Sequence, residues 1–331
     1  MKKETLAVWQ EGEYSYPLAF GFVPNLVSYI HEEDTQERPC MLVVPGGGYC
    51  VVSPTEGEIV AMEFYEKGYN AFVFTYTTNP LMLEPLKDQS MRDLSRAIRL
   101  IRSRAGEFHI DPCRLILCGF SAGGHLCASV CVHYMDVEDG RYGSFSNRPD
   151  AAILSYPVIT SADKAHRGSF QALLGMDAAE EELEYMSLEK QVSPQTPPCF
   201  LWQTATDEAV PVENSYLFAE ALKENGVPFA HHVFSEGRHG LSLANEKWAN
   251  GEYGEPYTME QTLKIAENVK NGNIQVSEEV KESFLPQFER SEEETKALLA
   301  ENSPNDEVAV WPALAHQWIK AVLKPECFHK K

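Results

Sequence analysis

Missing from this chain of 331 residues is any run near the ~20 consecutive apolar residues that a membrane-spanning helix needs. Positive charge is scarce too: 28 Lys and Arg stand against 49 Asp and Glu, a formal net charge of −21. Such a field repels phosphate backbones and anionic headgroups, so neither nucleic acid nor a membrane is an expected partner. The amino terminus has the two lysines of a secretory leader, Lys2 and Lys3, but Glu11 and Glu13 follow where the leader's apolar core would lie. A cytoplasmic location is expected. Clustered cysteines are lacking as well. Cys40, Cys50, Cys113, Cys118, Cys127, Cys131, Cys199 and Cys327 are scattered, several inside apolar runs, and read as reduced small hydrophobes. Cys127 and Cys131 share a helix face, yet no further Cys or His stands near enough to complete a metal site. Neither a metal nor a cofactor is expected.

What is present is enough apolar sequence, 44% of the residues, to bury one large core, and residues 1–331 are expected to form a single domain. Short apolar runs at 5–9, 19–23 and 26–30 suit edge strands. Compact apolar runs at 40–44, 71–76, 115–118, 151–156, 199–204 and 229–234 suit buried strands. Between them lie helical periodicities at 57–67, 86–104, from Ser121 to about 134 and at 213–225, with a closing amphipathic helix at 308–323. Strand and helix alternating without hairpin signals argue for an α/β fold: a mainly parallel central sheet with helices on both faces. The four arginines at 92, 96, 99 and 102 read as a solvated helix face, with pairing of Arg92 or Arg99 to nearby acids as the alternative. Two stretches break the rhythm. Residues 160–198, with short acidic helical pieces and Pro194, Pro197 and Pro198, are expected to cap the sheet edge. Residues 244–306 form an acidic insertion before the last helix, with helical stretches at 259–269 and 292–299.

The chemistry gathers where strands end. The run at 115–118 leads into Gly119-Phe120-Ser121-Ala122-Gly123, a strand, sharp turn and helix that would hold the Ser121 hydroxyl exposed in a strained conformation. An ordinary serine on a glycine-rich turn is the alternative. Asp207 and His239 also follow directly after expected strands, as do Gly46, Gly47 and Gly48. Parallel α/β sheets collect their catalytic groups at the carboxyl ends of strands. Ser121, Asp207 and His239 occur in the chain order of the α/β-hydrolase triad. In that arrangement Ser121 is the nucleophile, His239 the base that later protonates the leaving group, and Asp207 the acid that orients it. The N–H groups of Gly47, Gly48 and Ala122 are the candidate oxyanion donors. His125, one helical turn beyond Ser121, is a rival base that its helix directs away from the exposed hydroxyl.

Pro45-Gly46-Gly47-Gly48-Tyr49, Gly119-Phe120-Ser121-Ala122-Gly123-Gly124-His125, Asp207-Glu208-Ala209-Val210-Pro211 and Gly237-Arg238-His239-Gly240 resemble the esterase branch of the α/β-hydrolase superfamily. The chain looks most like small bacterial carbohydrate acetyl esterases and xylan-esterase-like proteins, neighbours of the hormone-sensitive-lipase-like group. The resemblance covers about residues 36–243 and 307–323. It implies an α/β-hydrolase fold and a serine esterase that removes short acyl groups, acetyl above all, from sugars or small oligosaccharides without a cofactor. An arylformamidase-like or peptidase-like amide hydrolase, or a binding protein that has lost turnover, are the other readings. Pro45 stands where the lipase-like group usually has His, which favours the sugar-esterase side. The acidic insertion departs from the family pattern. It is expected to cap the site, supply aromatics such as Trp248, Tyr253 and Tyr257 to a sugar subsite, build an interface of a homo-oligomer, or simply be solvated. Tyr49, Trp248 and Tyr257 are the expected substrate contacts.

Overall fold

The computed structural model describes residues 1–323, so Cys327 lies outside the described residues. Eight strands form one sheet in the order β1-β2-β4-β3-β5-β6-β7-β8. They are β1 (Lys2–Ala7), β2 (Asn25–Ile30), β3 (Arg38–Val44), β4 (Asn70–Thr75), β5 (Ile110–Phe120), β6 (Ala151–Ser155), β7 (Cys199–Thr204) and β8 (Phe229–Phe234). Only β2 runs against its neighbours; every pairing from β4 to β8 is parallel. The helices are α1 (Glu58–Glu66), α2 (Gln89–Ser103), α3 (Ala122–His133), α4 (Arg167–Leu174), α5 (Glu180–Tyr185), α6 (Glu213–Glu224), α7 (Glu246–Ala249), α8 (Glu260–Lys270), α9 (Glu278–Phe284), α10 (Glu292–Leu299) and α11 (Trp311–Val322). This is the α/β architecture expected from the sequence, with helices on both faces.

The strand pleat divides the core in two. Cys40, Leu42, Val44, Leu115 and Leu117 face one side, where Leu94 and Ile98 of α2, Leu126 and Val130 of α3 and Phe218 of α6 cover them. Met41, Val43, Ile116, Cys118 and Phe120 face the other, against Ile59 and Phe64 of α1 and Trp311 and Ile319 of α11. Alternate residues along each strand serve opposite faces, which is why these strands read as unbroken apolar runs. Register keeps the strand ends level: Val44 lies opposite Gly119, Phe120 opposite Ser155, and Ser155 opposite Trp202. The loops that follow therefore open on one rim.

Two expectations are corrected. Residues 19–23 are not a strand: Ala19 N–H donates to the Tyr16 carbonyl and Phe22 N–H to the Ala19 carbonyl, with Phe20 and Gly21 at positive φ. The apolar side chains there serve local packing, Ala19 in the main core and Phe20 against a small satellite cluster. The arginine face of α2 is not solvated either. Only Arg92 is exposed; Arg96, Arg99 and Arg102 are buried. Arg96 pairs with Glu13 and Asp139, and Arg99 donates to the carbonyls of Phe145 and Val137. A loop from 137 to 150 lies over that face and supplies it with carbonyls and the Asp139 carboxylate. Among the described residues no helix is long and apolar enough to cross a membrane.

Arg102 joins this loop to the start of β5. It donates to the carbonyls of Pro112, Ser146 and Arg148 and pairs with Asp150 at 2.8 Å, while Asp150 also accepts Leu115 N–H. Arg102→Leu strands a half-buried carboxylate and three carbonyls, so we expect a loss of about 3 kcal/mol in urea unfolding. An unchanged midpoint and slope would show that the loop, not the guanidinium, holds this corner.

Candidate active site

Ser121 sits between β5 and α3 at φ 52° and ψ −118°, a strained turn for a residue with a side chain. Gly123 makes the turn possible. A Cβ there would stand 2.2 Å from the Val44 carbonyl oxygen and 2.4 Å from that of Pro45. The nucleophile turn and the turn after β3 thus meet backbone to backbone.

Ser121 Oγ lies 2.8 Å from His239 Nε2, and His239 Nδ1 lies 2.7 Å from Asp207 Oδ2. The buried Asp207 carboxylate can only accept, so Nδ1 carries its proton and Nε2 turns its lone pair to the Ser121 hydroxyl. The other oxygen of Asp207 accepts Ala209 N–H and Val210 N–H at 3.0 and 2.9 Å, which fixes the carboxylate plane. Hydroxyls of Thr204 and Thr206 donate to the Gly237 carbonyl and hold the His239 loop against the Asp207 loop. Three residues separated by 86 and 32 positions are brought into one hydrogen-bonded chain at the strand-end rim. Such a chain can move a proton from Ser121 to His239.

Above Ser121, Gly47 and Gly48 take φ 123° and 64°. Their turn is tied by its carbonyls: Tyr76 O–H donates to Pro45, Ser53 N–H to Gly46, and Cys50 and Val51 N–H to Gly47. The amides of Gly47, Gly48 and Ala122 have no acceptor among the described residues. Ala122 opens α3, where first-turn amides lack helical partners. Gly47, Gly48 and Ser121 line the floor of a cleft of ≈ 740 Å³.

The walls come from elsewhere in the chain. His166, from the segment expected to cap the sheet edge, lines the cleft with Nδ1 2.8 Å from Ser169 Oγ. Burial, with His239 nearby, lowers its pKa. Met259, Thr262, Phe284, Gln287, Phe288 and Arg290 of the acidic insertion form the opposite wall, and Arg238 stands at its side. The expected substrate contacts Tyr49, Trp248 and Tyr257 are corrected here: none lines the cleft. Tyr49 is buried behind the glycine turn with its hydroxyl 2.8 Å from His125 Nδ1. Trp248 is buried in the core beneath Arg238, and the Tyr257 hydroxyl is 2.8 Å from that of Tyr29. The insertion reaches the cleft, but with other aromatics.

Sequence reasoning also missed Glu56 and Tyr156. Glu56 is buried at the cleft floor, accepting Gly46 N–H and Tyr156 O–H, each at 2.7 Å. Burial raises its pKa, offset in part by those two donors. The rival base His125 is enclosed between Tyr49 and the Met186 carbonyl and does not meet Ser121. Burial pushes its pKa down to about 4.

A family model described as BD-FAE matches residues 27–222, more than half of the chain. Endo-1,4-beta-xylanase B of Butyrivibrio fibrisolvens is 53% identical over 259 residues, 78% of this chain and 41% of that protein. The acetylxylan esterase of Xylanibacter ruminicola is 28% identical over 208 residues, 60% of this chain and 40% of that protein. The chain therefore spans less than half the length of these curated relatives. Among solved structures, an acetyl ester-xyloside bifunctional hydrolase from Caldicellulosiruptor lactoaceticus is similar with a TM-score of 0.68 and 38% identity, over 82% of this chain and 97% of that one. The carboxylesterase Cest-2923 from Lactobacillus plantarum shares the fold with a TM-score of 0.67 at 23% identity, over 98% of this chain and 100% of that one.

His125 yields a pH prediction. Its folded pKa of about 4 lies below the ordinary 6.5, so the unfolded chain binds its proton first. Stability is full above pH 6.5 and falls as pH drops towards 4, by about 3 kcal/mol from this group. Urea unfolding at pH 7 and pH 4 should therefore show a smaller acid loss for His125→Gln than for the wild type. Equal losses would mean that His125 is not a buried neutral group.

Proposed function

The chain belongs to the BD-FAE family within the α/β-hydrolase superfamily, and from that premise we propose that it is a serine carboxylesterase acting on short acyl esters of sugars or small oligosaccharides, acetyl esters above all. The observation that carries the reading is the Ser121, His239 and Asp207 hydrogen-bonded chain, opening on a cleft beside amides that have no acceptor among the described residues.

His239 Nε2 takes the Ser121 proton as Oγ attacks the ester carbonyl. The amides of Gly47, Gly48 and Ala122 receive the oxyanion, where loss of one such donor typically costs ~100 to 1000-fold in turnover. Collapse expels the sugar alkoxide, which leaves with the proton from His239, and Ser121 carries the acyl group. Water then gives a proton to His239 and attacks the acyl carbon. The Ser121 oxygen departs with that proton, and the carboxylic acid is released. Asp207 stays ionised throughout and steadies the imidazolium.

Sugar leaving groups are supported by two things. Relatives carry acetylxylan esterase and acetyl ester-xyloside hydrolase names. The cleft also has far more room than an acetyl group fills, and on the insertion side Phe284 and Phe288 pack edge to face at 5.0 Å beside Gln287 and Thr262. An apolar ring flanked by hydrogen-bonding side chains suits the mixed surface of a sugar.

Hydrolysis of 4-nitrophenyl acetate, butyrate and octanoate, with acetate release from acetylated xylo-oligosaccharides, tests the reading. Rates should fall with acyl length, and Ser121→Ala should lower kcat by about 10⁴-fold or more. A wild type inert towards every ester, or a mutant that keeps its rate, would favour an amide substrate or a non-catalytic role. The leaving-group wall has its own test: Phe288→Ala should cut kcat/KM about 10-fold on acetylated xylo-oligosaccharides, equivalent to about 1.4 kcal/mol of lost contact, and spare 4-nitrophenyl acetate. Equal losses on both substrates would remove Phe288 from the sugar side.

A further inference from the structure

Among the residues lining the cleft, Glu56 is the one with a carboxyl group, and the hydrolysis does not use it. It ends a 3-10 turn, Pro54–Glu56, and is 4% exposed. One carboxylate oxygen accepts Gly46 N–H at 2.7 Å; the other accepts the Tyr156 hydroxyl at 2.7 Å. The Tyr156 oxygen accepts Ser242 N–H at 3.0 Å, three residues past His239. The Tyr156 ring meets the His239 imidazole edge to face, centroids 4.9 Å apart at 68°. A Cβ at Gly46 would lie 2.9 Å from Ser121 Cβ and 3.1 Å from Glu56 Oε2, so Gly46 packs between the nucleophile and the carboxylate. With Ser242 N–H aimed at the phenol oxygen, the phenol proton goes to Glu56, and both carboxylate oxygens act as acceptors.

Resting on the esterase reading, we propose that Glu56 is a positioning residue for the hydrolysis: one oxygen holds the Gly46–Gly48 oxyanion turn, and the other, through Tyr156, holds the His239 turn. Among the described residues no other side chain accepts Gly46 N–H, and Glu56 links it through Tyr156 to Ser242. An apolar side chain would fill the space without the cost of burying a carboxylate. What the carboxylate adds is a fixed distance between the oxyanion donors and the base, and a small error there weakens contacts made only in the transition state.

The test uses full-length wild type, Glu56→Gln, Tyr156→Phe and the double variant with 4-nitrophenyl acetate. Active sites are counted by the burst of 4-nitrophenolate, and Tm is followed alongside. Glu56→Gln keeps an acceptor for Gly46 while its amide turns a donor towards Tyr156; Tyr156→Phe keeps the ring and removes the bridge. Each should lower kcat per active site about 10 to 100-fold with KM within about 3-fold, in the range of a disturbed oxyanion hole. The double variant should be no worse than the weaker single, because both cut the same link. Wild-type turnover with both singles within twofold of it, losses that multiply in the double, or losses that follow burst amplitude alone would overturn the positioning role. Should Glu56→Gln fail to fold, Tyr156→Phe alone still decides. A wild type without ester turnover would instead overturn the esterase reading, and this role with it.

Discussion

The site depends on one close approach. Gly123, two residues into the nucleophile turn, lies against the carbonyls of Val44 and Pro45, and no other residue type leaves room for it. Parallel pairing of β3 with β5 brings the two turns to the same height, with Val44 opposite Gly119. Because the turns touch through backbone at this point, the sheet sets how near Ser121 comes to the glycine turn, and side chains such as Tyr76 and Glu56 then fix the turn's own shape. A methyl group at 123 would wedge the turns apart and move the donors off the place where charge develops. The strained φ of Ser121 is held by the same packing, with α3 buried almost throughout against the sheet.

That dependence explains what could be read beforehand. Strands buried on both faces leave unbroken apolar runs, and each run ends sharply at its functional loop, so sheet, strand ends and the Ser121, Asp207 and His239 order were all legible. The glycine motif was legible too, since close backbone approach tolerates little else. Side chains that work through tertiary contact left no such mark. Glu56 is a lone carboxylate in a short turn, and Tyr156 looks like the end of a strand; only the folded chain shows them bonded to each other. The arginines of α2 misled for a related reason. A polar stripe on a helix normally faces water, but here a loop from 137 to 150 supplies carbonyls and carboxylates in its place.

The acidic insertion was seen as an element but not in its path. Ile265, Val269, Ile274 and Phe284 form a small core of their own, against Leu81 and Phe20, apart from the two large clusters flanking the sheet. Its apolar residues therefore had to satisfy that local core first. Trp248, close to His239 in sequence, went to the core, while Phe284 and Phe288, 45 and 49 residues beyond His239, reached the cleft. Sequence distance from the histidine said little about which aromatic would face a ligand. The result is a wall that packs on a small core of its own beside a floor built on the sheet, a division that lets the leaving-group side vary while the reacting groups stay fixed.

Charge follows the same division. The net charge of −21 sits mostly on the surface, where solvent screens it, and the buried charges have partners. Arg96 meets Glu13 and Asp139, Arg102 meets Asp150, and Asp93 accepts from Trp9, Thr77 and Gln89. Glu56, like Asp93, meets neutral donors and no cation among the described residues; what sets it apart is that its donors come from two separate loops. A carboxylate held only by neutral donors gains less than an ion pair while losing its hydration all the same. Stability alone gives no reason to keep it. Both donors belong to loops that carry the chemistry, Gly46 beside the oxyanion amides and Tyr156 against the imidazole, so the benefit of this carboxylate lies in the geometry of the reaction rather than in the stability of the fold.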